Sequence, residues 1–175
     1  MNHDDHVRLL RHGVPRGGAV WADLGSGEGA FTLALADLLG PGGEIHSVDR
    51  NGQALEVQLG ALRERFPDVT VHPLVADFTR PLGLPPLDGI VMANSLHFQR
   101  DKPAVLQLVR GCLRPGGRLV LVEYDADRGN PWVPYPFSFQ TWVALAADAG
   151  FRDTRRLASV PSRFLGAIYS ALSYR

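Results

Sequence analysis

The chain has 175 residues, 45% hydrophobic and 21% charged, a length and balance that fit one globular domain over 1–175 and exclude a disordered chain. Eighteen basic residues balance eighteen acidic ones, so no overall positive field draws in nucleic acid or an anionic membrane. The single cysteine, Cys112, excludes an intrachain disulfide framework and a cysteine-based zinc cluster.

No apolar run reaches membrane-spanning length, and the polar start, Met1 to His6, is unlike a secretory signal, so a cytoplasmic protein is expected. Residues 1–17 read as an N-terminal helical segment. The run His3-Asp4-Asp5-His6 reads as its solvated start, and no metal site is assigned. Short, nearly continuous apolar runs follow at Ala19–Leu24, Glu44–Asp49, Val69–Ala76, Gly89–Ala93 and Arg118–Tyr124, as expected of strands covered on both faces. Helical stripes separate them. Phe31, Leu35, Leu38 and Leu39 form one, stopped by Gly40-Pro41. Leu55, Leu59, Leu62 and Phe66 form another, and Val105, Val109 and Cys112 a third, with Pro103 in its first turn. The connection Asp77–Leu87, with Pro81, Pro85 and Pro86, is too short and broken for a helix. After the fifth strand comes a proline- and aromatic-rich stretch at 125–137, read as a lid loop, and then a helix from Ser138 to Ala149. Two more strands, Arg152–Ser159 and Phe164–Ser173, are joined by a turn at Pro161-Ser162. The alternation predicts an α/β fold with a doubly wound, mostly parallel seven-stranded sheet, the last two strands forming a hairpin at one end.

The strongest local signal is Asp23-Leu24-Gly25-Ser26-Gly27-Glu28-Gly29, where a strand runs through three alternating glycines into a helix. Such a turn lets a ligand lie against the backbone and offers it the free N–H groups of a helix start. The second strand ends in Asp49, twenty residues after Gly29, placed to accept both hydroxyls of a ribose lying across the sheet. The third ends in Asp77-Phe78, offering an acceptor for an adenine amino group and an aromatic wall. The fourth ends in Asn94-Ser95, and Leu113-Arg114-Pro115-Gly116-Gly117-Arg118-Leu119 introduces the fifth.

With these four motifs in order, the chain resembles the class I S-adenosylmethionine-dependent methyltransferases over nearly its whole length. The resemblance implies a Rossmann-like fold whose antiparallel seventh strand is inserted between the fifth and sixth. It implies S-adenosyl-L-methionine as cofactor and S-adenosyl-L-homocysteine as product. The implied cofactor residues are Asp23, Gly25, Ser26 and Gly27 at the methionine end, Asp49 and Arg50 at the ribose, Asp77 and Phe78 at the adenine, and the Asn94 backbone near the amino group. His97, just beyond the fourth strand, is the candidate general base, or else it packs and orders that loop. Ser95, Tyr124, Trp132 and Tyr135 are candidates to line or cover a substrate pocket, or they pack over the sheet edge. Asn130-Pro131-Trp132 follows the fifth strand, not the fourth, so it is not assigned to amino-group methylation.

The expected substrate is a small-molecule methyl acceptor, covered by the N-terminal segment and the 125–137 loop, with a homodimer compatible with that lid. Two other readings stay open: a non-catalytic adenosylmethionine-binding subunit, and a nicotinamide-dependent oxidoreductase, which would prefer glycine where the chain has Ala30. Arg152, Arg155, Arg156 and Arg163 read as a solvated strand face, and Cys112 as core.

Overall fold

The computed structural model describes all 175 residues. The apolar runs form β1 (Val20–Leu24), β2 (Glu44–Asp49), β3 (Thr70–Val75), β4 (Leu87–Ala93), β5 (Leu113–Tyr124), β6 (Arg152–Ser162) and β7 (Gly166–Tyr174). They make one sheet of order β3-β2-β1-β4-β5-β7-β6. β1 to β5 pair in parallel, and β7 runs antiparallel to both β5 and β6. This is the doubly wound, seven-stranded arrangement expected. Five helices cover the sheet: α1 (His3–Leu10), α2 (Ala30–Leu39), α3 (Gly52–Arg65), α4 (Lys102–Cys112) and α5 (Phe139–Asp148).

The sheet separates two cores. On one face Leu9 and Leu10 of α1, Leu35 and Leu39 of α2 and Leu62 of α3 pack against Ile45, Val91 and Val120. On the other, Leu106 and Val109 of α4 and Trp142 and Ala146 of α5 pack against Ala22, Ile90 and Leu121. Burying each such leucine or valine contributes roughly 1.5–3 kcal/mol, so both faces at the centre of the sheet, where the chain reverses between β1 and β4, are held by packed core. No helix spans the β3–β4 connection, as its prolines predict; Leu82 and Leu84 from it rest against the α4-side core instead.

Three expectations need correction. The final turn falls at residues 163–165, not at Pro161-Ser162, because Pro161 and Ser162 pair with Ala167 and Gly166. A proline is tolerated there since β6 is an edge strand, and Gly166 at φ 74° supplies the bend. The Arg114–Gly117 stretch lies within β5 as a bulge, since Leu113 pairs with Leu87 and Arg118 with Gly89. The N-terminal segment is not a cover: α1 buries Val7, Leu9 and Leu10 in the core. Its start is ordered by a reciprocal Asn2–Asp5 capping box, and His3 Nε2 lies 3.0 Å from Asp37 of α2. Of the arginine cluster, Arg156 is tied to Asp125 at 2.9 Å and stacks over Phe139. No helix is long and apolar enough to cross a membrane.

Candidate functional site

A cleft of about 280 Å³ opens at the carboxyl ends of β1, β2, β3 and β4, lined by Gly25, Gly27, Asp49, Arg50, Asp77, Phe78, Asn94, Ser95, Phe98 and Gln99. This is the switch point of the sheet, where ligands of open α/β folds bind. The β1–α2 loop makes its floor. Gly25 takes φ 82°, and a Cβ there would meet Ser95 Cβ at 2.5 Å, so only glycine lets the loop cross the end of β4. Gly27, at φ 53°, has nothing within 4 Å of the position a Cβ would take, so its backbone is bare toward open space.

Polar groups from β2 and α3 fix this loop. The N–H groups of Gly25 and Ser26 both donate to the Val48 carbonyl, at 2.8 and 3.1 Å. Asp49 Oδ2 accepts the Gly27 N–H and Oδ1 the Asn51 N–H, each at 2.8 Å. Each oxygen keeps lone-pair capacity toward the cleft. Ser26 turns away from it: its hydroxyl accepts from Ser47 at 2.8 Å and from the Gln58 amide at 3.0 Å, and Gln58 also donates to Gly27 O. Asp77 Oδ1 accepts both the backbone N–H and the hydroxyl of Thr79, which hold this carboxyl below its ordinary pKa. Its Oδ2 lies 4.0 Å from Arg50.

Two buried acceptors beside this floor lack partners. Asp23, at the end of β1, accepts from Thr32 through Oδ2 at 2.7 Å, while its Oδ1 has no partner. Burial foremost, partly offset by the Thr32 bond, pushes its pKa up to about 7. Asn94 holds φ 52°, a conformation uncommon for a non-glycine residue, and its Oδ1 is likewise buried and unpaired. Such groups are costly unless a ligand or water completes them.

Beyond β4 the chain makes a single turn over Leu96–Phe98. His97 is only 2% exposed and does not line the cleft. Its Nδ1 lies 2.7 Å from Glu123 Oε2 at the end of β5, and Glu123 Oε1 accepts the N–H groups of Leu96 and His97. Phe98, which does line the cleft, lies against the His97 ring with centroids 4.3 Å apart. Tyr124 borders the ring edge-on, and burial, then Glu123, raises its pKa, keeping it a neutral phenol. The 125–137 loop is anchored here by buried Val133 and Phe137 and by the Tyr135 N–H, which donates to His97 O at 3.0 Å. Lys102 sits beneath, donating to Gln99 O and facing the Phe137 ring, its pKa lowered by burial.

Gly25, Gly27, Asp49, Arg50, Asp77, Phe78, Asn94 and Ser95 thus share one cleft, whereas Asp23 and Ser26 lie under it. Tyr124, Trp132 and Tyr135 do not line it, and Trp132 is 73% exposed. Asn130 turns its side-chain oxygen to the N–H groups of Trp132 and Val133, a turn-forming role. Sequence reasoning passed over Glu123, Phe98, Gln99 and Gln58. A signal existed for Glu123, the single charge ending the apolar run Leu119–Val122; buried charges are kept only when paired.

A family model described as "Methyltransferase domain" matches residues 16–148. The ubiquinone/menaquinone biosynthesis C-methyltransferase of Azotobacter vinelandii is 32% identical over 132 residues, covering 73% of this chain and 52% of that protein. Acetylserotonin O-methyltransferase of Mus musculus is 38% identical over 121 residues, covering 63% of this chain and 30% of that protein. The chain therefore spans about half the length, or less, of the curated relatives it matches. Among solved structures, a Burkholderia thailandensis 1,6-didemethyltoxoflavin-N1-methyltransferase, described with bound 1,6-didemethyltoxoflavin and S-adenosylhomocysteine, superposes with a TM-score of 0.75. It is 21% identical and covers 99% of this chain and 78% of that one, a likeness of fold.

Proposed function

The chain belongs to the class I methyltransferase family, and from that premise we propose that it binds S-adenosylmethionine in the β1–β4 cleft and methylates a small-molecule acceptor. The observation that carries the reading is the convergence of the glycine loop, Asp49, Asp77, Phe78 and Asn94 on one cleft at the switch point. The residues fit the cofactor. Gly27 leaves bare backbone where a ligand would lie, and Asp49 and Asp77 keep oxygens for a ribose and an adenine amino group. The unpaired oxygens of Asp23 and Asn94 suit an ammonium donor at the methionine end.

Adenosylmethionine, when bound, supplies a sulfonium-activated methyl group, so alignment of the acceptor accounts for much of the catalysis. The chain's part is to hold the two reactants in line and, for an acceptor that must lose a proton, to take it. His97 is suited to that. Glu123 holds its Nδ1–H, which leaves Nε2, without a partner in the chain, as the basic lone pair. Phe98 both lines the cleft and packs against the His97 ring, which links that imidazole to the cleft wall. An acceptor of metabolite size is supported by the relatives named for ubiquinone/menaquinone biosynthesis and for acetylserotonin. One is a C- and the other an O-methyltransferase, so the acceptor atom does not transfer.

Calorimetric titration with adenosylmethionine, adenosylhomocysteine and NADH tests the cofactor. Binding of the first two at micromolar concentration without NADH is expected, and the reverse pattern would replace this reading with an oxidoreductase. A metabolite screen scored by adenosylhomocysteine release then separates an enzyme from a subunit that only binds the cofactor.

A further inference from the structure

Outside the cleft, two histidines that the sequence places inside strands meet a glutamate. His46 of β2 is in register with Ala22 of β1 and His72 of β3. Glu44, two residues before His46, points to the same face. That face is the α4 side, since Val48 and Leu74, of matching parity, pack with the α4-side core. It carries no helix over β2 and β3, because the β3–β4 connection has none. His72 and Glu44 are therefore partly open to solvent, with side chains 48% and 39% exposed.

From this arrangement we propose that Glu44, His46 and His72 form a binding site for a borderline-soft divalent ion of the zinc type. Glu44 Oε1 lies 3.1 Å from His72 Nε2 and 3.4 Å from His46 Nε2, and all three donor atoms fall within 4.8 Å of one another. Zinc held at 2.0–2.2 Å by imidazole and carboxylate in a tetrahedron sets its ligand atoms about 3.4 Å apart. The two Glu44–histidine separations are close to that spacing. A hydrogen-bond account of the cluster is incomplete, because His46 Nε2 is buried and makes no hydrogen bond despite the nearby carboxylate. The two rings stack at 4.9 Å with 22° between planes, which brings both Nε2 atoms to the same oxygen.

Two imidazoles and one carboxylate favour zinc, nickel or copper over magnesium or calcium, which prefer oxygen donors. The open side leaves the fourth position to water. Glu44 lies at the opposite end of β2 from Asp49, about 16 Å away at the rise of a strand. The ion would therefore clamp the edge strand β3 to β2 and take no part in the cleft.

Calorimetric titration of the chelator-treated full chain with zinc at about pH 7.5, paired with cobalt absorption spectroscopy, tests the site. The expected result is one ion per chain, a tetrahedral cobalt spectrum, and a zinc-dependent rise in Tm. His72→Ala, at a half-exposed position that leaves the fold intact, should weaken binding roughly tenfold or more, and Glu44→Gln should do likewise. His12→Ala, a control for stray surface histidine binding, should leave it unchanged. Absence of binding to the wild-type chain, or zinc affinity undiminished in both His72→Ala and Glu44→Gln, would overturn the proposal.

Discussion

Asp23 and Glu123 are both buried carboxyls, yet their surroundings ask different things of them. Glu123 accepts three hydrogen bonds, whereas Asp23 accepts one and has an oxygen with none. Asp23 therefore works against the fold at neutral pH. Its pKa rises from 3.8 in the unfolded reference to about 7 when folded. Between those values the native state binds more protons than the unfolded one, so its contribution to stability falls as pH rises from about 4 to about 7. Asp23→Asn should remove that slope and raise Tm at pH 8 relative to wild type. On the proposed reading it should also weaken adenosylmethionine binding, by removing the charge beside the ammonium. Thermal unfolding across pH and calorimetry measure the two effects separately. Glu123→Gln should behave otherwise: the amide oxygen can still receive the two backbone N–H groups, but its NH₂ opposes the His97 Nδ1–H. Turnover should drop about 10²–10⁴-fold, as with His97→Ala, while adenosylmethionine affinity holds. A variant of either residue with unaltered turnover on a true acceptor would remove His97 from the proton path and leave it ordering the loop. The acids at strand tips were legible because Asp49 and Asp77 each close an apolar run. The Glu123–His97 pair was not, since 26 residues, with α4 and most of β5 among them, separate its members and only the sheet brings them together.

Among the elements, the β1–α2 loop separates steric from ligand effects most cleanly. Gly25→Ala places a Cβ against Ser95 and in a positive-φ region, so the folded state itself should lose stability, by about 1–3 kcal/mol. Gly27→Val meets open space but projects into the cleft. It should fold with a modest backbone penalty and fail to bind adenosylmethionine. Normal binding by that variant would mean that no ligand approaches the loop closely. Asp49→Ala should weaken adenosylmethionine by about 1.5–3 kcal/mol, the scale of hydrogen bonds to a charged group. Part of that loss comes through the Gly27 N–H, which Asp49 anchors; calorimetry on the folded variant measures it. Helices and strands were readable because each carries its own periodicity, down to the helix-free β3–β4 connection. The last turn was misplaced because proline reads as a breaker unless the strand is known to be an edge. Nor could one strand show that His46 and His72 would be neighbours, since register belongs to a pair.

At the scale of the whole molecule, alternation of strands and helices announced a doubly wound sheet, but the order of its final strands came only with the family resemblance. β7 pairs with β5 along one side and with β6 along the other, and β6 touches the sheet through β7 alone. Removing residues 166–175 should therefore release two strands and leave β5, which carries Glu123, as a long apolar edge. Such a chain should be insoluble or molten, measured by sedimentation and near-ultraviolet circular dichroism. A time dimension follows from the same insertion. During synthesis β7 leaves the ribosome after the other six strands of the sheet, so β6 must wait unpaired and β5 stays sticky until residues 166–174 emerge. The cleft strands, β1 to β4, can assemble well before that. A nascent chain would then hold its ligand-facing half in place while its other half is still open to mispairing, and the hazard of aggregation lasts until β7 is available to pair.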